Sequence, residues 1–365
     1  MQYRTWRLSV AIILGVAGAF AQAPKFIVHD LGPNATVTGI NNNGQVVGST
    51  QVQAGVEHAF RTRANKAINL PADDLGTLGG PWSRASGINS SGQVVGSSSN
   101  AGGETRGFRT GPNMKINPST DDVGSLGGPL LSGSFRTEAL GINDSGRVVG
   151  ASSAPSGIIH AFRTEATGAI NNATDDIGAL LFSPTPANQE SVARSINAAG
   201  DIGGSFLGGF IMFPDSFIYQ GGTITEIPCI IIAPFGNNFT GINDHGQVAG
   251  TNACSGSFPP NIAVWQNGTL TDLAACDCEP HGVNNSLQVV GRGFTFGPNH
   301  AFLYSGGKLS DLNDLIPSRS RWVLTDASAI NDLGQIVGTG QFNGSPHAYR
   351  LDPVTTPTDT TDRPF

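Results

Sequence analysis

The chain is poor in charge. Asp, Glu, Lys and Arg make up 13% of its 365 residues, where a soluble domain typically carries roughly a quarter. Acids outnumber bases, 27 to 20. Such a surface offers no electrostatic attraction to nucleic acid or anionic lipid, so those partners are set aside. No apolar run after the first twenty residues is long enough to cross a bilayer. No segment shows apolar residues at helical spacing over a helix's length. Motifs that announce chemistry are missing too: there is no G-x-S-x-G elbow, no H-E-x-x-H and no Walker loop. Gly-rich pieces such as GTLGGP (76–81) join strands rather than open a helix, which excludes phosphate cradling. No catalytic residue, cofactor or metal is expected on motif grounds.

Glycine, by contrast, is plentiful, with 50 residues. That composition suits short strands joined by tight turns, because Gly supplies the positive φ that turns need and helices penalise. The start reads as an export signal. Arg4 and Arg7 charge it, Leu8 to Phe20 is nearly all apolar, and small residues follow, so residues 1–21 are expected to be cleaved after Ala21. Cleavage moves the formal charge from −7 to −9. The expected destination is extracytoplasmic: secreted, periplasmic or at the cell surface. No membrane span would remain after cleavage. Residues 353–365 read as a disordered Thr/Pro/Asp tail.

What fills residues 22–352 is a repeat. Gly-Ile-Asn or a close variant recurs with its Ile or Val at 40, 88, 142, 196, 242, 283 and 330. A turn and an apolar segment follow each time, as in INNNGQVVGS and INDLGQIVGT. About ten residues later comes a short strand, HAFRT at 58 and 160, HAFLY at 300, HAYRL at 347. A fourth strand then ends in an acid and an aliphatic residue, as at Asp74-Leu75 and Asp311-Leu312. Asn-x-x-Gly is hairpin chemistry: the Asn side chain accepts turn N–H groups and Gly takes the left-handed conformation. Each unit reads as a four-stranded meander of strands a to d. Four strands per 41–54 residues, seven times, is the pattern of a propeller.

The two ends sharpen this. The last unit has strands a, b and c but no d, while Phe26–Leu31 looks like a strand d without a unit. Joining them removes two exposed sheet edges. The expected fold is therefore all-β: a seven-bladed β-propeller of four-stranded antiparallel blades. Its ring closes where the N-terminal strand joins the last three. The combination of GIN-x-x-G-Q-V-V-G, HAF-R/L and the DLGTLGG of Asp74 to Gly80 resembles the bacterial HAF-type probable extracellular repeat, over nearly the whole chain after the signal. The resemblance implies export and β-structure and brings no catalytic residues with it.

Candidate residues are weighed on repeat logic. His58, His160, His300 and His347 share one repeat position, which points to a structural role at blade level rather than to catalysis. With Gly306-Gly307 setting register, His300 falls diagonal to Asp311, a His–carboxylate bond across strands c and d. The pairs Asp73-Asp74, Asp121-Asp122 and Asp175-Asp176 lack the spacing of a calcium loop and read as turn-capping acids. Cys229, Cys254, Cys276 and Cys278 are an even set in an exported chain, hence disulfides. Cys276 and Cys278 stand too close in sequence to bond each other readily. That leaves 229–276 with 254–278, or 229–278 with 254–276. A zinc site of Cys254, Cys276, Cys278 and His281 is the alternative.

Recognition is expected on the face that collects the variable b–c and d–a connections. That face gathers aromatic and Arg residues: Trp82 with Arg84, Phe135 with Arg136, and Phe210, Phe213, Phe294 and Phe296. The function these features favour is a non-enzymatic binding module for an extracellular glycan or protein. The rivals are a polysaccharide hydrolase or lyase, with carboxylates such as Glu138 or Asp326 near the central channel, and a purely structural matrix protein.

Overall fold

Gly-Ile-Asn ends the inner strand of each repeat, and Asn-x-x-Gly reverses the chain. In the first repeat Asn41 Oδ1 accepts the N–H groups of Asn43 and Gln45 at 3.1 and 3.0 Å, and Gly44 takes φ 74°. The same turn recurs in the sixth repeat with Leu287 in the glycine position, at φ 53°. The computed structural model describes residues 26–354 except 132–134, 179–189, 208–215, 228–229, 232–240, 253–260 and 298. Among these residues the chain is all-β, arranged as successive antiparallel sheets, with a short 3-10 turn at Leu312–Leu315. Residues 1–25, which include the expected export signal, and residues 355–365 lie outside the described part.

Strand pairing explains the repeat motif. The Gly of V-V-G on strand b faces the aromatic residue of strand c: Gly48 opposite Phe60, Gly150 opposite Phe162, Gly338 opposite Tyr349. Strand a carries a bulge just there, between Val37 and Gly39 in the first repeat. A Cβ on Gly48 would overlap the carbonyl oxygen of Thr36, so the position must be glycine. The ring opposite is fully buried in each case, which contributes about 2–3 kcal/mol per aromatic side chain. Val46 and Val47 are both fully buried because the sheet is covered on both faces. One packs with Leu31, Phe60, Val337 and Ala348, the other with Ala59, Ala85, Val94 and Phe108. The core is thus a series of interfaces between consecutive repeats.

The outer edge departs from the four-strand expectation in three places. Repeats four, five and six have a full strand d, Thr223–Ile227, Thr269–Ala275 and Lys308–Asp311. Tight two-residue turns precede them, with positive φ at both residues: Gly221-Gly222, Asn267-Gly268 and Gly306-Gly307. In repeats one to three the sheet has three strands, and strand d shrinks to a single bridge, Phe60–Asp74, Phe108–Asp122 and Phe162–Asp176. The reason lies in where the preceding loop sends its N–H groups. Ile68, Ile116 and Ile170 donate to Leu31, Leu75 and Val123 of the preceding repeat at 3.0, 2.9 and 2.7 Å. The loop is therefore tied sideways and cannot extend along its own strand c.

Phe26–Pro33 lies beside Ser345–Pro353, in register from Phe26–Pro353 to Pro33–His347. The final strand consequently runs through Pro353, one residue into the expected tail. Asp352 holds it there, accepting from Arg350 and Gln335 at 2.8 Å and standing 2.9 Å from His29 Nε2.

The cysteine expectation also needs correction. The structure sets the sulfurs of Cys276 and Cys278 against each other, with Cα atoms 5.1 Å apart. The chain folds sharply at Asp277, between strand d of repeat five and strand a of repeat six (Cys278–Val283). That bend brings i and i+2 within disulfide range, which an extended run would not. Cys229 and Cys254 lie outside the described residues.

Candidate functional site

The Ile-Asn-x ends of the inner strands from all seven repeats line one cavity of about 210 Å³. Its wall is a cycle of amide bonds. Asn41 Nδ2 donates to the carbonyl of Asn89, Asn89 to Asn143, Asn143 to Asn197, Asn197 to Asn243, Asn243 to Asn284 and Asn284 to Asn331. Asn331 donates to Asn41 at 3.0 Å, which returns the series to its start. The second amide hydrogen goes to the residue four positions on, Gln45, Gln93, Asp201, Gln247, Gln288 or Gln335. These Asn side chains can therefore make four hydrogen bonds, and most of them do, while staying 3–5% exposed. Asn41, Asn89, Asn243, Asn284 and Asn331 have all four capacities filled.

A second, looser cycle runs through the next residue. The N–H groups of Ser90, Ala198, Asp244, Asn285 and Asp332 donate to Asp144, Asp244, Asn285, Asp332 and Asn42 at 2.8–3.0 Å. The cycle lapses where the acceptor would be Ala198 or Ser90, which lack a long enough side-chain oxygen. The acids Asp144, Asp244 and Asp332 at the cavity mouth are inter-repeat clips.

Functional variety sits deeper along the same strands, three and five residues before each Asn. Glu138 of repeat three (Thr137–Ile142) is half-buried and accepts no hydrogen bond from a described residue. Burial raises its carboxyl pKa, and the nearby Arg194 and Arg84 charges only partly offset this. Burial likewise depresses the Arg194 guanidinium, with Glu138 pulling it back, and Arg194 Nε donates to Ser205 Oγ at 3.1 Å. On repeats six and seven, His281 Nδ1 lies 2.8 Å from Asp326 Oδ1. Glu279 takes the Arg292 guanidinium at 2.7 Å, and His281 Nε2 stands 4.0 Å from Glu279 Oε2. The His281–Asp326 contact joins repeats six and seven at their inner edge, whereas Glu138 and Arg194 of repeats three and four influence each other only through their charges. Of the zinc alternative, Cys276 and Cys278 face each other, and His281 Nδ1 is taken by Asp326.

The residues expected to bind ligand do not form one exposed patch. Arg84 lies over the Trp82 ring at 5.6 Å and donates to Glu57 at 2.8 Å. Arg136 bonds Glu104 at 3.2 Å and also the Gly128 carbonyl. Phe135 is fixed by reciprocal main-chain bonds to Leu131. Phe296 packs on the core between repeats five and six, while Phe294 is 46% exposed. Phe210 and Phe213 lie outside the described residues. Trp82–Arg84–Glu57 and Arg136–Glu104 are therefore local tethers between neighbouring repeats.

The four repeat histidines stand on the strand-d acid: His58 on Asp74, His160 on Asp176 and His347 on Asp30 at 2.9 Å, His300 on Asp311 at 2.6 Å. In repeat two, Arg106 takes this place on Asp122 with a two-nitrogen grip. The preceding acids Asp73, Asp121 and Asp175 are buried and accept the N–H of Asn69, Asn117 and Asn171 at 2.7–2.8 Å. They close loops. Reading Asn only as a turn former missed the amide cycle, although the Gln four residues later was its visible companion. The inner-edge acids and bases were legible as departures from a strand otherwise built of small and apolar residues.

No protein-family model and no curated protein sequence matches the chain. Solved structures do resemble it. The β-propeller domain of the Trilobed protease from Pyrococcus furiosus, described as having an open velcro topology, is 14% identical with a TM-score of 0.50. It covers 76% of this chain and 84% of its own. Oligogalacturonate lyase from Vibrio parahaemolyticus is 10% identical with a TM-score of 0.51, covering 89% and 93%. At these identities the likeness is one of fold alone, and that fold is the β-propeller.

Proposed function

We propose that the chain is an exported binding module: seven blades closed into one ring by the N-terminal strand, taking up a glycan or protein at its loop-rich face. The ring proposal is supported by the pairing of Phe26–Pro33 with the last three strands and by the amide bond from Asn331 to Asn41. Export is supported by the apolar signal of residues 1–21 and by the resemblance to HAF-type extracellular repeats.

A division of labour within the repeat carries the binding assignment. The recurrent residues, Asn, Gly, Phe and His with its acid, are taken up by turns, packing and hydrogen bonds inside the protein. The residues that change from repeat to repeat are polar ones at the inner edge, Arg84, Glu138, Arg194, Glu279, His281 and Asp326. A scaffold that keeps its frame constant and varies such positions is built for recognition. The mixture of acceptors and donors suits the hydroxyl-rich surface of a sugar. The test is a glycan array probed with the chain lacking residues 1–21, followed by product analysis of every bound sugar. Retention without turnover is expected. Release of cleaved sugar would move the assignment to a hydrolase or lyase, for which the burial-raised carboxyl of Glu138 is the specific support. Absence of any sugar or protein ligand would leave a structural protein.

A further inference from the structure

Among the described residues, Phe294 is the one exposed Phe, Tyr or Trp, at 46%. It stands in the b–c connection of repeat six, and Asp277 stands in the d–a connection that leads into the same repeat. The Phe294 N–H donates to the Asp277 carbonyl at 2.8 Å. This continues by one step the register that pairs Cys278 with Gly293 and Glu279 with Arg292. Alternate residues of a strand share a face. Asp277 and Glu279 therefore stand beside Phe294 and Arg292, on the side opposite the buried Cys278. Cross-strand neighbours of this kind have Cβ atoms roughly 5 Å apart.

The ring is held in place. The Asp277 N–H donates to Thr295 Oγ1 at 3.1 Å, the Gly297 N–H to the Phe294 carbonyl at 3.3 Å, and Phe296 is packed on the core. A group fixed before its ligand arrives loses little freedom on binding. Its polar neighbours differ in what they have to spare. Arg292 grips Glu279 at 2.6 and 2.7 Å. Asp277 is exposed, and its carboxylate has no hydrogen bond or ion pair among the described residues.

A solitary exposed ring would need no explanation. A rigid ring beside an open carboxylate has a definite chemistry: a flat apolar surface with a hydrogen-bond acceptor at its edge. That matches a sugar ring, which offers an apolar C–H face and a rim of hydroxyl donors. Charge selects among sugars. Arg292 neutralises Glu279, so the uncompensated charge beside Phe294 is the negative one of Asp277, which repels an acidic sugar. We propose that Phe294 and Asp277 form a stacking subsite for a non-acidic sugar ring, whose C–H face lies on Phe294 while a hydroxyl donates to the Asp277 carboxylate. This deepens the glycan-binding assignment and depends on it.

The experiment is calorimetric titration of the chain lacking residues 1–21 with methyl glucoside, methyl galactoside, the corresponding uronates and the non-acidic oligosaccharides retained on the array. Non-acidic sugars should bind at least tenfold more tightly than their uronates. Phe294→Ala should lose at least tenfold in affinity for them, whereas Phe294→Trp, which keeps a stacking face, should stay within threefold of wild type. Asp277→Asn should bind less tightly, and its preference for non-acidic sugars over uronates should fall at least threefold. His245→Ala, on an exposed a–b turn, should lose nothing. Thermal melts confirm that each variant is folded. Should Phe294→Ala fail to fold, the wild-type preference and Asp277→Asn still decide. Uronates binding as tightly as non-acidic sugars, Phe294→Trp losing as much as Phe294→Ala, or folded Phe294→Ala and Asp277→Asn binding as wild type does would each overturn the subsite while leaving the glycan assignment standing. No sugar binding by wild type would remove both.

Discussion

Repeats one to three and repeats four to six solve the same packing problem in opposite ways. In the first set strand c reads Ala-Phe-Arg-Thr or Gly-Phe-Arg-Thr, and the last two residues are polar clips. Thr62, Thr110 and Thr164 accept the first N–H of strand b at 2.9–3.0 Å. Arg61, Arg109 and Arg163 reach the turn carbonyls of Gly92, Gly146 and Gly200 in the next repeat. In the second set the same positions hold Ile218-Tyr219, Val264-Trp265 and Leu303-Tyr304, all buried. Apolar packing replaces the clips. The outer strand follows suit: a clamped loop with one bridge in the first set, a complete hairpin strand in the second. Polar and apolar lateral ties are thus interchangeable, provided that the inner amide cycle is kept; the Gly–aromatic pair itself is replaced in repeat five, where Gly250 faces Ala263. Arg163 marks the boundary, its guanidinium lying 4.8 Å over the Tyr219 ring of repeat four.

If the inner cycle is what the two sets share, breaking it should hurt both alike. Asn143→Ala and Asn284→Ala each leave buried N–H and C=O groups unpaired and should each cost about 2–4 kcal/mol in chemical denaturation. A clear inequality between them would show that the sets do not rest on a common hub. The outer edge should instead separate the sets. Asp175→Ala removes the acceptor that closes the clamp of repeat three. The expected loss is about 1–3 kcal/mol, with faster amide exchange at Asn171 and Ile170.

The seventh sheet has its own tie, and pH reveals it. Burial tends to raise the Asp352 carboxyl pKa, but hydrogen bonds from Arg350 and Gln335 and the charges of Arg350 and His29 bring it below its ordinary 3.8. A depressed carboxyl stabilises the fold above its unfolded pKa and loses that contribution as pH falls through the folded value. Asp352→Asn should therefore cost about 1–2 kcal/mol at pH 7, and the difference from wild type should vanish in melts taken well below pH 3.8.

Two substitutions should gain stability by making a deviant repeat resemble its neighbours. Leu287 holds the left-handed turn position that is glycine in the other six repeats, so Leu287→Gly should raise stability by about 1 kcal/mol. Ala198→Asp should supply the acceptor missing from the second cycle and give Asp144 N–H a partner. Its expected gain, about 0.5–1 kcal/mol, is the smallest and is checked by the shift in melting temperature.

Much of this was legible in the residues. Short apolar V-V-G runs, Asn-x-x-Gly turns and the Asn267-Gly268 and Gly306-Gly307 pairs announce antiparallel strands because each is a local preference of a few residues. The orphan strand at Phe26 was legible as well, since it lacks the three strands that accompany the other copies. The shortened outer strand of repeats one to three was not. Ile68 looks like any strand residue, and only the position of Leu31 in the preceding repeat determines that its N–H leaves sideways. The sulfur contact of Cys276 and Cys278 was hidden for the same reason, because it depends on a bend at Asp277 rather than on spacing. The expected ligand-contact residues show the same limit: that Arg84 and Arg136 pair with Glu57 and Glu104 of the preceding repeat could not be read from spacing.

By itself the sequence determined the strand-and-turn repeat and the number of its copies, because turn chemistry and strand preference act over a few neighbouring residues. Tertiary structure decided which polar groups are spent and which are spare. Asn41 and His281 look equally available in one dimension. Packing between repeats satisfies the side chain of the first and leaves one nitrogen of the second without a partner among the described residues, since hydrogen-bond partners across a 290-residue or 45-residue separation are fixed only when the sheets come together.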